Sequence, residues 1–285
     1  MTVRAALTFG LLLWAGVAQA QTMRPFSTFR QLHGETRFNA RVEYGAGSLR
    51  VEPGQPGELY RMNLSYDEDR FVPVSDFDPS SRTAVLGLRA AGEGGVRVVS
   101  GNQLRQLATI AISPRADLAL DLSLGAVDAD IELGGLRISD LDLKTGASRA
   151  TVRFSRPNGM RCRHAGFSAG AAEVEVLGLG NSRCDEIEFE GGMGTVLLDF
   201  SGVWSSSSHL EVKMAVGEIT LRLPKRVGVR LAMDKFLTSF ESAGLLRRGD
   251  SFVSSNYDSA ERRLDIDLTT AMGGVSIEWV DGSEK

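Results

Sequence analysis

Cysteine, histidine and long apolar runs are all scarce in this sequence. It has two cysteines and three histidines, and no histidine lies at a metal-ligand spacing from a cysteine or a carboxylate. After residue 20, no apolar run approaches the roughly 20 residues that cross a bilayer. The sequence therefore predicts no metal site and, once the first residues are removed, no transmembrane segment.

Basic charge and aromatic side chains are also in short supply. The chain has 32 lysines and arginines against 36 aspartates and glutamates, and 7% of its residues are aromatic. Domains that bind nucleic acid normally carry a basic excess, so a nucleic-acid partner is not expected. No G-x-S-x-G nucleophile elbow occurs, and no cluster combines acids with aromatic platforms for sugars. We therefore predict no enzyme and no cofactor.

The first residues have the pattern of an export signal. Ala5 to Val17 is uncharged and mostly apolar, and a small-x-small cleavage site follows and ends at Ala20. We expect residues 1–20 to be a signal peptide and the protein to be periplasmic or extracellular. An uncleaved signal anchor is the alternative. Residues 21–35 show little periodicity and are expected to form a flexible lead-in.

One pattern recurs seven times along the chain. Each copy has an anchor that is a small residue, with apolar residues three positions before it and four and six positions after it. The anchors are Gly45, Gly125, Gly146, Gly170, Gly192, Ala215 and Ala271. From Gly125 to Ala215 the spacings are 21, 24, 22 and 23 residues. Apolar residues alternate within each half of a copy, which predicts strands with one buried face.

The anchor of each copy is expected to be a bend. The apolar positions on its two sides are seven residues apart, and in a straight strand an odd step would place them on opposite faces. A bend or bulge at the anchor brings both to one core. Glycine permits close backbone approach or a positive φ. Because two anchors are alanine, we expect tight packing to be the commoner reason.

A period near 22 residues without a helical pattern predicts an all-β fold, a β-solenoid whose turns stack in register. We expect an N-terminal β unit over residues 36–113, a regular coil over 114–280 and a polar tail over 281–285. A sandwich of short strands is the alternative.

The two cysteines occupy the same place in neighbouring copies. Cys162 lies five residues before Phe167, and Cys184 lies five residues before Phe189. Stacked turns would bring them within the distance that a disulfide requires. We predict this bond, with two free thiols packed in the core as the alternative.

The pattern changes between the last two anchors, which are 56 residues apart. Met233, Phe236, Leu237 and Phe240 follow helical spacing, so we expect a short helix here. The gap would admit one more turn with an insertion. The segment is expected to cap an open side of the coil, and a partner-binding element is the alternative.

Several acids also lie close together in the predicted coil. Asp128, Asp130 and Glu132 share one strand face, and Asp140 and Asp142 are expected one turn away. Such a set could bind calcium or serve a glycosidase. Polar residues fill the outer face of a half-buried sheet by default, so we expect a solvated surface.

Several phrases resemble the toastrack family. They are RVEYGAGSLRV at 41–51, LDLSLGAVDADIELGGLRISDLDLKTGASRATVRF at 120–154, GLGN at 178–181 and LDFSGVW at 198–204. Relatives of that family include LiaF-like cell-envelope stress proteins and adhesin-like bacterial β-solenoids. The resemblance covers most of the mature chain and implies a non-enzymatic envelope protein.

These observations lead to an expected function and two alternatives. We expect a binding or scaffolding module at the bacterial cell envelope, with an envelope polysaccharide or protein as its partner. The first alternative is a regulatory component of an envelope stress response, which binds a membrane sensor through the segment from Met233 to Leu246. The second is a carbohydrate-active enzyme.

Overall fold

The computed structural model describes residues 22–92, 105–242 and 244–281, which form an all-β structure. The strands are β1 Met23–Gln31, β2 Arg37–Pro53, β3 Glu58–Asp67, β4 Phe71–Asp78, β5 Thr83–Ala90, β6 Leu107–Ile112, β7 Asp117–Glu132, β8 Ile138–Thr145, β9 Arg149–Arg153, β10 Cys162–Leu177, β11 Cys184–Asp199, β12 Ser208–Pro224, β13 Gly228–Phe240, β14 Leu246–Arg248, β15 Ser251–Val253 and β16 Arg263–Val280. A 3-10 helix spans Leu179–Asn181. The all-β prediction is confirmed. The expected signal peptide lies outside the described residues, as do residues 282–285 of the expected tail.

Successive copies of the repeat pair side by side as parallel strands. The order is β2, β7, then β8 and β9 as the two halves of one copy, then β10, β11, β12, β16 and β13. The ladder runs without interruption from β2 into β7. The expected boundary at residues 113 and 114 therefore falls within one continuous sheet.

The apolar positions of the repeat form three continuous columns that are buried in the core. Phe167, for example, pairs with Leu143 on one side and with Phe189 on the other. Three residues before the anchors lie Val42, Leu122, Leu143, Phe167, Phe189, Val212 and Leu268. Four residues after lie Leu49, Ala129, Ala150, Val174, Val196, Ile219 and Val275. Six residues after lie Val51, Ile131, Val152, Val176, Leu198, Leu221 and Ile277. The predicted burial and register are confirmed.

The bend at each anchor depends on close backbone packing between neighbouring strands. A Cβ atom added to Gly125 would lie 2.2 Å from the carbonyl oxygen of Gly45. The anchors themselves do not have positive φ. That backbone conformation occurs two residues later, at Gly194 (φ 142°), Gly217 (φ 146°) and Gly273 (φ 134°). Tight packing at the anchor is therefore confirmed. The residues of the bend that have positive φ lie two positions after the anchor, whereas the sequence pattern suggested the anchor itself.

The disulfide and Asn158 link neighbouring copies of the repeat. Cys162 and Cys184 are directly paired residues of β10 and β11 with Cα atoms 4.1 Å apart, and their sulfurs are bonded. The predicted disulfide is confirmed. Asn158, which is buried, donates to the carbonyls of Ile138 and Ser182 and accepts from the N–H of Ile138.

A broken copy of the repeat, missed in the sequence, forms the outer layer at the N-terminal end. β5 and β6 pair in parallel with the two halves of β2, and antiparallel β4 and β3 cover their outer edges. β1 pairs with β3, and Phe26 packs against the core. The expectation of a flexible lead-in over residues 21–35 is therefore wrong for Met23–Gln31. Its alternation was hidden because the partly buried face carries the polar residues Thr28 and Arg30, whereas Phe29 lies on the exposed face.

The expected helix at residues 233–240 is wrong, because this segment belongs to strand β13. β13 pairs residue by residue with β16, which returns between β12 and β13. Phe236 takes the anchor position of a further copy, so Met233 and Phe240 lie three residues before it and four residues after it. These repeat positions have the same spacing as one face of a helix. The predicted extra turn is present, and the capping of the core is shared by Phe240, Phe252 and Leu245.

Candidate functional site

A groove runs along the line of bends on the outside of the sheet, with a volume of about 970 Å³. It crosses β7, β8, β10, β11, β12 and β16. We call it the hinge groove. The residues that line it are Ser123, Leu124, Lys144, Thr145, Gly146, Ser168, Ala169, Gly170, Glu190, Gly191, Gly192, Lys213, Met214, Ala215, Thr269 and Ala271.

The floor of the hinge groove contains the anchor residues. A Cβ atom at Gly146 would lie 3.2 Å from the carbonyl oxygen of Gly125, and one at Gly170 would lie 3.0 Å from that of Gly146. At Gly192 the corresponding distance, to the carbonyl oxygen of Gly170, is 2.7 Å. The backbones approach so closely that glycine fits best. The packing that bends the sheet therefore also keeps the floor free of large side chains.

One rim of the hinge groove is a row of outward-facing polar side chains, two residues before each anchor. They are Ser123, Lys144, Ser168, Glu190, Lys213 and Thr269, each paired with the next across neighbouring strands. Lys213 forms an ion pair with Glu211 at 2.6 Å, and this hydrogen bond raises the pKa of Lys213. Lys144 forms no ion pair with a carboxylate of the described residues. The rim therefore has an ammonium group available for a ligand.

Beyond the anchors, on the other side of the hinge groove, lies a row of exposed apolar side chains. Met193, Val216, Met272 and Leu237 each follow an anchor position and pair across β11, β12, β16 and β13. Their exposed fractions are 61%, 38%, 47% and 58% in that order. We call this row the apolar ladder. Contiguous exposed apolar surface of this kind marks interaction sites, and methionine adapts to partners of different shape.

The predicted anchor residues do not all contribute to the hinge groove. Gly146, Gly170, Gly192, Ala215 and Ala271 line the hinge groove, whereas Gly45 and Gly125 do not. The rim was missed by sequence reasoning, although the regular polar position two residues before each anchor was a usable signal.

The residues of the expected cap also separate. Leu237 joins the apolar ladder, Phe236 is 81% exposed at the edge of the sheet, and Phe240 packs edge-on against Phe252 at 5.1 Å between ring centroids. Met233 is half-buried against the core. The segment therefore contributes to both the cap and the exposed surface.

Two of the acids considered for calcium or glycoside chemistry form ion pairs with arginines, and Glu132 accepts hydrogen bonds from Ser155 and from the backbone N–H of Gly134. Asp130 contacts both Arg50 and Arg153, and Asp140 contacts Arg163 at 2.7 Å. Within residues 22–92, 105–242 and 244–281, no three His, Cys, Asp or Glu side chains are grouped so that they could hold a metal ion. Neighbouring arginines therefore neutralise Asp130 and Asp140 within this group of carboxylates.

None of the helical structure in the described part of the chain has the length and apolar character of a membrane span.

The fold has distant likenesses among solved structures. A candidate cell adhesion protein from Clostridium sporogenes is 17% identical with a TM-score of 0.49, over 90% of this chain and 100% of the other. A candidate adhesin from Bacteroides fragilis is 10% identical with a TM-score of 0.36, over 91% and 98% of the two chains. A candidate adhesin from Parabacteroides merdae is 12% identical with a TM-score of 0.29, over 90% and 96%. No curated protein matches the sequence.

A family model identifies the N-terminal part of the ladder. The model of the N-terminal domain of toast_rack, DUF2154, matches residues 19–177, more than half of the chain. The match ends at the last residue of β10, so it includes β1 to β10 and the first strands of the hinge groove. The chain belongs to the toast_rack family.

Proposed function

We propose that this protein is an exported, non-enzymatic binding or scaffolding module of the bacterial cell envelope, and that the hinge groove is its binding surface. The observation that carries the proposal is the groove itself, an open channel across six adjacent strands. It combines a floor of small residues with a polar rim, and the apolar ladder lies beyond the anchors. Long regular surfaces of this kind suit extended partners.

The scaffold beneath the groove is best explained as a β-solenoid. Parallel strands from successive repeats pair in register, and the apolar columns stack behind the bends. We propose that residues 36–113 form its N-terminal unit and residues 114–280 its regular coil.

Export is supported by two observations of different kinds. Residues 1–20 have the charge and hydropathy pattern of a signal peptide. The Cys162–Cys184 bond would persist in an oxidising compartment, whereas the bacterial cytosol keeps most thiols reduced. A periplasmic or extracellular location accounts for both.

The chemistry of the groove favours an extended polypeptide over a sugar chain. Sugar-binding sites usually offer aromatic side chains as stacking platforms, and no aromatic residue is among those that line the groove. The apolar ladder beside the groove offers exposed apolar contacts, while Lys144 and Lys213 on the rim offer cations. A segment with alternating apolar and acidic side chains would match this lining.

A binding measurement with an obstructed groove tests the proposal. Ser168→Trp places a bulky side chain on the rim, and Thr151→Trp introduces the same bulky side chain on the outward face of the same sheet, away from the groove. We expect purified wild-type protein and Thr151→Trp to bind isolated cell envelopes saturably, and Ser168→Trp to bind at least about tenfold more weakly.

Two outcomes contradict the proposal. One is the absence of saturable binding by the wild-type protein. The other is equal binding by Ser168→Trp and Thr151→Trp, both shown by circular dichroism to be folded, since this would move the binding surface away from the groove.

A further inference from the structure

The floor of the hinge groove ends at a large aromatic side chain. Its last lining residue is Ala271 of β16, and Phe236 of β13 lies level with it, since the residues before and after the two pair in register. Phe236 is 81% exposed, whereas the lining anchors are all glycine or alanine. Beyond the other end of the floor, the anchors Gly125 and Gly45 have no side chain. A phenyl ring therefore marks the β13 end of the groove, and the β7 end has no counterpart.

The β13 end of the groove is also apolar. Leu237 follows Phe236 directly and pairs with Met272, and these two residues of the apolar ladder are 58% and 47% exposed. Aromatic and methionine side chains are enriched at the centres of protein interfaces, and exposed apolar surface of this kind marks interaction sites. The β13 end is therefore suited to a large apolar side chain of a partner.

The charges of the rim differ between its two ends. Lys144, on β8, and Asp234, on β13, are both exposed and take part in no ion pair in the part of the chain that the structure describes. Between them, Glu190 is also unpaired among the same residues, and Lys213 is paired with Glu211. A carboxylate of a ligand is therefore attracted at Lys144 and repelled at the β13 end.

The distance between these two ends corresponds to a short extended polypeptide. The rim is paired residue by residue from Lys144 to Asp234, which makes five steps between neighbouring strands. At about 4.8 Å per step, the span is about 24 Å. An extended chain advances about 3.4 Å per residue, so about seven residues cover it. Side chains an odd number of residues apart point to opposite sides of an extended chain, as contacts with the rim and with the apolar ladder require.

We propose that the hinge groove binds an extended segment of an envelope protein, with an apolar end at β13 and an acidic end at β8. A large apolar side chain of the segment packs on Phe236 and Leu237, and an aspartate or glutamate about seven residues away pairs with Lys144. This proposal rests on the function proposed above and adds the class of ligand and the two contacts that give specificity. A polysaccharide has no large apolar side chain for the β13 end.

Selection from a random library of displayed twelve-residue peptides tests the class of ligand. Immobilised wild-type protein is the bait, and Ser168→Trp protein in solution removes peptides that bind outside the groove. We expect the enriched peptides to share a large apolar residue and an acidic residue about seven positions apart. If cell envelopes bind saturably through the groove but the library yields no such peptides, this proposal is overturned and the proposed function stands.

Two substitutions test the two contacts, with one enriched peptide and fluorescence anisotropy. Phe236→Ala gives β13 the residue that β12 and β16 have at this position, Ala215 and Ala271, and it should weaken binding about tenfold or more. Lys144→Glu should weaken binding by a similar factor. Replacement of the acidic residue of the peptide by lysine should restore binding to Lys144→Glu.

The controls make equivalent changes away from the groove. Phe29→Ala removes a phenylalanine that is 51% exposed on β1, and Arg115→Glu reverses an exposed charge just before β7. Both variants should bind the peptide as the wild-type protein does. Binding that neither Phe236→Ala nor Lys144→Glu changes overturns the proposal, and so does an equal loss of binding in the two controls.

Discussion

At the scale of single residues, Gly217 carries two constraints at once. Its φ is 146°, a conformation that L side chains rarely adopt, and a Cβ atom there would lie 1.9 Å from the carbonyl oxygen of Gly194. We expect Gly217→Ala to lower the free energy of unfolding by at least about 2 kcal/mol, because backbone strain and a steric clash add. Urea unfolding measures the change.

Two other glycines separate these effects. Gly249 has a positive φ of 61° with no atom within 4 Å of an added Cβ, and Gly57 has open space and an ordinary φ. Gly249→Ala should cost about 1 kcal/mol, and Gly57→Ala should cost close to nothing. If Gly217→Ala costs no more than Gly249→Ala, the close approach between neighbouring strands does not constrain the bend.

Asn158 is the second residue whose loss should be severe. It is 1% exposed, and its side chain makes three hydrogen bonds to backbone groups of Ile138 and Ser182. Asn158→Ala would leave these buried groups without partners, so we expect a loss of about 3 kcal/mol in the free energy of unfolding. Thermal unfolding measures it, with Asn63→Ala at an exposed position as the control. Equal stability of the two variants would contradict this role.

A residue could be predicted from the sequence when its role lies within one repeat. It could not be predicted when its role depends on contacts with the neighbouring repeat. The apolar columns were predictable because a buried residue recurs at a fixed distance from each anchor. The left-handed glycines and Asn158 were not, since their roles come from backbone atoms of the next strand. The rim was visible as a polar position in every copy, but the groove beside it depends on how the strands bend.

At the scale of elements, the disulfide between β10 and β11 joins two strands that already pair. The cysteines are 22 residues apart in sequence, so the bond restricts a loop of moderate size in the unfolded chain. We expect the double variant Cys162→Ala/Cys184→Ala to lose about 3 kcal/mol in the free energy of unfolding while it keeps the fold. Urea unfolding measures the loss, and wild-type protein under reducing conditions should show a similar one. An unchanged urea midpoint would contradict the expected stabilisation.

Strand β13 shows why a local sequence pattern predicted a helix where the structure has a strand. The spacing of Met233, Phe236, Leu237 and Phe240 fits one helical face, but it also equals the spacing of four positions in the β repeat. Pairing with β16 favours the strand, because it satisfies the backbone groups along one full side. The sequence could not reveal this pairing, since β16 follows β13 in the chain but precedes it in the sheet.

At the scale of the whole molecule, the order of repeats in the chain differs from their order in space at both ends. β2 lies inside β5 and β6 at one end, and β16 lies inside β13 at the other. The sequence spacing predicted the middle of the ladder well because consecutive copies are neighbours there. The ends could not be predicted, since long insertions separate strands that pair. The hinge groove lies mainly over the regular middle.

The account rests on the claim that successive copies lie in register and so build the hinge groove. The distance between spin labels on the groove rim tests this claim most directly. Cysteines introduced at Ser123 and Thr269 would be the only free thiols, because Cys162 and Cys184 are bonded to each other. The two positions are separated by five steps of the ladder, so electron–electron double resonance should give a narrow distribution near 24 Å, at about 4.8 Å per step. A broad distribution, or one centred far from this value, would contradict the in-register ladder and the groove that depends on it.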